Sequence, residues 1–306
     1  MTPDDDPRPP RRVTPLQPVH FSRAASGFPL GDASIVALVQ SALDEDAADR
    51  DLTTIATVIP GHRARAQLVT REAGVVCGVP LALAAFRLLD PEISIRVDAD
   101  DGTQLARGAG VLFISGRARG MLSAERTALN FMQRLSGIAT LTRRFVDAVA
   151  GTSARIVDTR KTTPGWRALE KYAVRCGGGY NLRFDLTEAV LIKDNHLSAV
   201  GGDVAEAVRR VRAHAPEGTT VQVECDTVAQ VRAAVVAGAE SVLLDNMTPE
   251  QLRESIAVAR GHCLTEASGG VNLQTVAAIA ATGVDRISVG ALTHSAPALN
   301  LALDFE

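Results

Sequence analysis

Residues 155–193, RIVDTRKTTPGWRALEKYAVRCGGGYNLRFDLTEAVLIK, carry eight Arg or Lys residues against four acids, in a chain of formal net charge −3. The positive excess is therefore local. Arg160 and Lys161 follow the apolar pair Ile156-Val157, while Arg183 and Lys193 bracket a second apolar run, Ala189-Val190-Leu191-Ile192. Cations at the ends of buried strands are costly unless something anionic binds there. Arg160, Lys161, Arg183 and Lys193 thus read as an anion site. Arg167, Lys171 and Arg175, spaced by four, read instead as a solvated helix face. Lys193 has a second chemistry open to it, as a Schiff-base nucleophile. Among so many cations, binding a carboxylate or phosphate is its simpler use.

The elements that would position these cations form a repeating pattern. Apolar runs at 221–224, 242–245 and 263–266 each end in a polar residue and lead into amphipathic helices at 227–237, 249–260 and 272–281, and a fourth run, 286–289, leads into Gly290. Glu224, Asp245 and Glu266 recur at intervals of 21 residues, which suits one β/α unit after another. In such folds the C-terminal strand ends form the active face, so polar residues there converge on one pocket. About six such strands are legible, fewer than a full eightfold barrel needs. An incomplete β/α barrel is the preferred reading and an open doubly wound sheet the second. Glu224 and Asp245 could hold a magnesium ion with its waters or accept hydrogen bonds from ribose hydroxyls. They could equally be ion-pair partners for the cluster's own cations. Ser268-Gly269-Gly270 and Gly290-Ala291 follow the last two strands, where backbone amides often bind phosphate. His196, in Lys193-Asp194-Asn195-His196, reads as a supporting residue or helix-cap element and not as a base.

Upstream, a helix capped by Ser34 is expected from about Asp32 to Leu43, strands at 65–71, 75–77, 94–97 and 111–115, and a helix at 81–89. A long helix at 123–149 follows, with Ser123 near its start. Mixed strands and helices without strict alternation suggest a small α+β layer domain. The first thirty residues hold seven prolines, an acidic triplet and scattered arginines, and read as a disordered extension. Hydrophobic content of 46 % and charged content of 22 % describe an ordinary globular protein. Aromatics at 4 % argue against a base-stacking nucleic-acid surface, and the mild negative charge gives no general attraction to nucleic acid or anionic membrane. No apolar run approaches a membrane span. Four cysteines, Cys77, Cys176, Cys225 and Cys263, lie far apart without metal-ligand spacing, as expected of reduced thiols in a cytoplasmic protein.

The strings AERTALNFMQRLSGIAT, DTRKTTPGWRALEKYAVRCGGG, LIKDNH, VECDT, LLDNM, EASGG and ISVGALTHSAPALN, with DLTT and REAGVV nearer the start, closely resemble the quinolinate phosphoribosyltransferases, in family order. The resemblance implies an N-terminal α/β sandwich over 31–130 and an incomplete, about seven-stranded β/α barrel over 131–294. It implies a final segment, 295–306, returning to the first domain. It further implies a homodimer with active sites shared across the interface, and leaves a higher oligomer open. The reaction implied joins quinolinate and phosphoribosyl pyrophosphate to give nicotinate mononucleotide, pyrophosphate and carbon dioxide, with magnesium as cofactor. Carried over by position, Arg160, Arg183 and Lys193 would bind the quinolinate carboxylates and Arg126 would reach the same pocket from the neighbouring subunit. Lys161, Glu224 and Asp245 would be catalytic, Lys161 near the leaving group and the two carboxylates facing the ribose and metal. Ser268, Gly269 and Gly290 would hold the 5′-phosphate. One departure stands out: the family usually reads Asn-His-Arg where this chain has Asn181-Leu182-Arg183. Leu182 leaves two alternatives, a related transferase acting on another aromatic acid and a non-catalytic ligand-binding homologue. Gln222 also stands where an acid is common.

Overall fold

The computed structural model describes residues 27–306, so the proline-rich extension assigned to 1–30 lies outside the described residues except for its last four. Of those four, Phe28 sets its ring edge-on to Tyr172, with centroids 5.2 Å apart. The first half comprises α1 (Asp32–Glu45), α2 (Leu52–Thr57), β1 (Arg63–Thr70), β2 (Gly74–Val75), α3 (Val79–Leu89), β3 (Ser94–Val97), β4 (Gln104–Leu105) and β5 (Gly110–Arg117). A single long helix, α4 (Ala118–Ala148), leads into the second half. There β6 (Arg155–Val157), α5 (Arg167–Cys176), β7 (Val190–Ile192), α6 (Asp194–Ala199), α7 (Val204–His214) and β8 (Val221–Cys225) come first. They are followed by α8 (Val228–Val236), β9 (Ser241–Asp245), α9 (Pro249–Ala259), β10 (Leu264–Ser268), α10 (Val276–Ala280), β11 (Arg286–Ser288), α11 (Ala291–His294) and β12 (Leu301–Phe305).

Two helix starts differ from the sequence reading, α1 because it begins two residues before Ser34 and α4 because groups from other elements replace the local cap. Ser34 lies inside α1, its N–H already donating to the Gly31 carbonyl at 2.9 Å, and Gly31 occupies the cap position without a side chain. Ser123 lies in the second turn of α4, not at its start. Strand β5 runs straight into α4, and the exposed first N–H groups find Asp90 Oδ2 (from Arg117, 2.9 Å) and the His62 carbonyl (from Ala118, 2.8 Å). Ser123 instead donates to Asp51 Oδ2 at 3.0 Å, tying α4 to the residue that caps α2.

The first sheet is antiparallel in the order β12-β1-β5-β3. Its outer strand is the last of the chain, with Thr70 opposite Leu301 and Ala66 opposite Phe305. Met121, Ala124, Ala128, Met132, Leu135, Ile138 and Ala139 of α4 are buried, at spacings of three and four that make one apolar face. The segment leading to β12 crosses this helix at Gly137, where any Cβ would collide with the Pro297 carbonyl. A close backbone approach of this kind admits only glycine.

The second sheet is parallel, ordered β6-β11-β10-β9-β8-β7. Its first strand in the chain, β6, pairs with its last, β11, and the others follow in cyclic order to β7, which with β6 forms the two edges. A doubly wound sheet would reverse about a middle strand, so the second reading of the sequence falls and the barrel stands. Beyond β6, Tyr180 makes a lone parallel bridge with Val157, a seventh strand position reduced to one residue. In such a barrel the active site lies at the C-terminal strand ends. Helices α8 and α9 start at the boxes Thr227/Gln230 and Thr248/Gln251, which leaves those ends rigidly spaced.

Candidate active site

At the end of β6, Asp158 is fully buried and its Oδ1 lies 2.6 Å from Lys171 Nζ, itself 2 % exposed, on α5. Lys171 is therefore no part of a solvated face, contrary to the sequence reading of that helix. The spacing of four was genuine, but the side chain turns inward to a partner on another element. Asn181 Nδ2 donates to Asp158 Oδ2 at 2.6 Å and to the Lys171 carbonyl at 2.8 Å. The Leu182 N–H donates to Asp158 Oδ1 at 2.9 Å, and Lys171 Nζ donates to the Leu182 carbonyl at 3.0 Å. Burial pushes the Asp158 carboxyl up, opposed by Lys171 and these N–H donors.

The β6–α5 loop carries Arg160 and Lys161. Its far end is held by Glu170, whose Oε2 accepts the Thr163 N–H at 3.0 Å and whose Oε1 accepts Arg134 Nη2 from α4 at 2.6 Å. Trp166, at the same end, stacks on Phe131 of α4. Thr293 Oγ1 donates to the Lys161 carbonyl at 2.7 Å, and the Lys161 stem lies against Gly290 beside the His294 ring. The chain thus joins Lys161 to Gly290, two residues 129 positions apart, and adds His294, a neighbour that reading the sequence by strand ends missed. Its only signal was its place in the string GALTHSAP.

Arg160 Nε is buried without a hydrogen-bond partner. Burial, and next the Arg160 guanidinium, pull Arg183 below the ordinary arginine range, with Glu266 acting in the opposite sense. Arg160 and Arg183 are thus electrostatic neighbours. Lys193 follows β7, and its N–H donates to His196 Nδ1 at 2.9 Å, so the imidazole is a cap element of α6. Lys193 Nζ stands 3.9 Å from Glu224 Oε2 and its side chain is 49 % exposed. Half exposed and paired with a carboxylate, it lacks the apolar enclosure of a Schiff-base lysine.

Glu224 is pushed up by burial, is lowered by Lys193, and is raised again by Asp245, Asp194 and Asp226. Glu224 and Asp245 therefore share one field, and Asp245 stands opposite Ser268 in the β9–β10 register. The Ser268–Gly269 turn sits on Asn246, whose N–H donates to the Ser268 carbonyl at 2.9 Å. Gly269 has φ +87°, and a Cβ there would overlap the Asn246 amide. Glu266 differs from its two 21-residue relatives: it lies two positions before the end of β10, fully buried, and accepts Gln222 Nε2 at 2.9 Å. Arg126 is exposed on α4, and among the described residues no hydrogen bond or ion pair links it to this cluster.

Cations that follow β6 and β7 and carboxylates of β8 and β9 thus lie at the C-terminal strand ends of one parallel sheet, with Lys193 against Glu224. Such an arrangement can bind a multiply charged anion by its acidic groups and hydroxyls beside it. Among the described residues no group of three or more His, Cys, Asp or Glu could cage a metal ion. The donor set offered by Glu224 and Asp245 fits magnesium that keeps waters and is shared with substrate phosphates. Among the described residues no helix is long and apolar enough to cross a membrane.

Comparison with known proteins points the same way. The model of the quinolinate phosphoribosyl transferase N-terminal domain matches residues 51–136, and that of the C-terminal domain matches residues 138–304. The chain is 45 % identical over 272 residues to the nicotinate-nucleotide pyrophosphorylase (carboxylating) of Mycobacterium leprae, covering 87 % of this chain and 95 % of that one. It is 40 % identical over 260 residues to a probable enzyme of the same name from Bacillus subtilis, covering 85 % and 89 %. The solved nicotinate-nucleotide pyrophosphorylase of Francisella tularensis superposes with a TM-score of 0.85 at 38 % identity, covering 90 % of this chain and 98 % of that one. The chain belongs to the quinolinate phosphoribosyltransferase family.

Proposed function

We propose that the protein transfers the phosphoribosyl group of phosphoribosyl pyrophosphate to quinolinate, releasing pyrophosphate and carbon dioxide and leaving nicotinate mononucleotide. The observation that carries this reading is a pair of neighbouring guanidinium groups, Arg160 and Arg183, together with the Lys193–Glu224 pair, on segments that follow strands of one parallel sheet. Quinolinate is a dianion with a weakly nucleophilic ring nitrogen, and its co-substrate is more anionic still. The first task is to hold two repelling anions in line, which guanidinium forks do by bidentate contact with carboxylates. Arg160, Arg183 and Lys193 take the two carboxylates in this reading, leaving the ring nitrogen to attack the anomeric carbon as pyrophosphate departs. Lys161 stabilises the charge gathering on the leaving group, and Glu224 and Asp245 stabilise positive charge developing at the anomeric carbon. Ser268, Gly269 and Gly290 take the 5′-phosphate.

Glu224 and Asp245 would hold magnesium, which when bound neutralises charge on pyrophosphate. Once the glycosidic bond has formed, the ring nitrogen is cationic and serves as electron sink for loss of the adjacent carboxylate as carbon dioxide. A proton then replaces it on the ring carbon.

A homodimer belongs to the same proposal. Exposed Arg126 lies one turn beyond Ser123, which binds the cap of α2, and α2 presents the exposed apolar residues Leu52 and Ile55. A second subunit covering that face would receive Arg126 in its pocket. A cytoplasmic location is also part of the reading, in keeping with four free thiols.

The test is formation of carbon dioxide and nicotinate mononucleotide from the two substrates with magnesium, with Leu182→His assayed alongside. Turnover by the natural chain is expected. Activity confined to the variant, or no activity with quinolinate in either, would overturn the assignment.

A further inference from the structure

A buried ion pair rarely stabilises a fold more than apolar residues of the same volume would. The Asp158–Lys171 pair, 0 % and 2 % exposed at its side chains, therefore calls for another account. Its contacts supply one. Both main-chain groups of Leu182 are taken by the pair, the N–H by Asp158 Oδ1 (2.9 Å) and the carbonyl by Lys171 Nζ (3.0 Å). Asn181 occupies the other oxygen of Asp158 at 2.6 Å and also donates to the Lys171 carbonyl at 2.8 Å. Residue 182 immediately precedes Arg183, and Asp158 stands two residues before Arg160. One ion pair thus pins the backbone from which both arginines spring.

Those arginines repel each other, and burial strengthens the repulsion. Left to itself, the segment 181–189, which holds no helix or strand, would swing Arg183 away toward water. The side-chain contact holding Arg183 within its own loop is long, 3.4 Å to the Ala189 carbonyl. The main chain supplies the restraint: the ion pair grips Leu182 on one side of Arg183, and Arg167 Nη1 donates to the Phe184 carbonyl at 3.1 Å on the other.

We propose that Lys171 and Asp158 are positioning residues, which clamp the Leu182 main chain so that Arg160 and Arg183 are held at the separation required by the two carboxylates of the acid substrate. An apolar pair of equal volume would fill the same space without gripping Leu182. The clamp also accounts for the tolerance of a leucine at 182, since the structure uses that residue's backbone. Binding then proceeds without the cost of ordering the arginines at the moment of encounter.

This inference rests on quinolinate as the substrate, and the two are separable: turnover by the unsubstituted chain tests the substrate, and comparison among variants tests the clamp. The variant is Lys171→Met, which keeps the volume and removes the grip. Its steady-state constants for each substrate are measured together with Tm, and inhibition constants are taken for a pyridine dicarboxylate and a pyridine monocarboxylate. Loss of the clamp should raise the KM for quinolinate about tenfold while the KM for phosphoribosyl pyrophosphate stays within about twofold. The dicarboxylate should lose its advantage over the monocarboxylate. If Lys171→Met does not fold, Asn181→Ala, which keeps the ion pair and removes one brace, decides, with a rise of about threefold in the same KM alone. Unchanged constants in a folded variant, or equal changes for both substrates and both inhibitors, would overturn the clamp.

Discussion

Gln222 and Glu266 meet across β9, the amide Nε2 donating to the carboxyl Oε2 at 2.9 Å and to Ser241 Oγ at 3.3 Å on the strand between them. Burial pushes the Glu266 carboxyl up, and the Gln222 hydrogen bond is foremost among the groups that oppose it, ahead of Arg286, Ser288 and Arg183. With the folded-state pKa above the unfolded one, the folded protein holds this proton to higher pH than the unfolded chain. Stability from this group is therefore present at low pH and is lost as pH rises through the folded value. Gln222→Leu removes the main opposing donor and raises the carboxyl further. Thermal melts should show a loss of about 1–3 kcal/mol at neutral pH, shrinking in acid. A deficit independent of pH would mean that the amide does not act on Glu266.

Glu224 should set an acid limb in the pH profile of turnover. Its carboxyl is raised mainly by burial, and Asp245, Asp194 and Asp226 add to the rise against Lys193. If the ionised form is the working one, kcat/KM falls as pH drops through this raised value. Asp194→Asn removes one repelling charge, so the limb should move to lower pH. A profile unmoved by that substitution would separate Glu224 from the limb.

Gly269 and Gly270 offer a paired test of the proposed phosphate turn. Both have positive φ, +87° and +60°, but only at Gly269 would a Cβ overlap Asn246, while around Gly270 there is open space. Gly270→Ala should cost about 1–2 kcal/mol from backbone strain alone. Gly269→Ala should cost more and also raise the KM for phosphoribosyl pyrophosphate, because Asn246 must move and it is tied to Asp245 by a 2.6 Å hydrogen bond. Calorimetry and substrate-saturation curves give both quantities. Equal effects from the two variants would contradict this account.

Arg126 acts from the neighbouring subunit in the proposed dimer. Arg126→Ala and Lys193→Met should each be inactive, and mixing them should restore some activity through hybrid dimers with one intact site. Native mass spectrometry would verify the exchange of subunits. Exchange without recovery would count against a shared site.

The chemistry of this chain was more legible than its supports. Arg160, Lys161 and Lys193 stood out by their place after apolar runs, although the structure leaves both lysines exposed, and the parallel winding showed in apolar runs that repeat with a polar last residue. Lys171 misled because helical spacing records which residues share a face, not which face is buried; its partner Asp158 lies 13 residues away, just past the end of β6. Ser34 and Ser123 misled for a related reason, since the N–H groups at those helix starts are satisfied by Gly31, Asp90 and His62. Glu266 kept the interval of Glu224 and Asp245 but not their setting, because β10 runs two residues further before it ends. Spacing along a chain reports the repeat of its units; it does not report where each strand stops.

Strand β12 has a consequence for how the chain comes to be folded. Thr70 finds its partner Leu301 only after 231 further residues. On the ribosome, the outer edge of β1 stays bare while the whole parallel sheet is being made, and a bare edge invites pairing with other chains. The first sheet to begin is the last to be sealed, so loss of a few residues from the far end of the molecule would be felt at its beginning as aggregation.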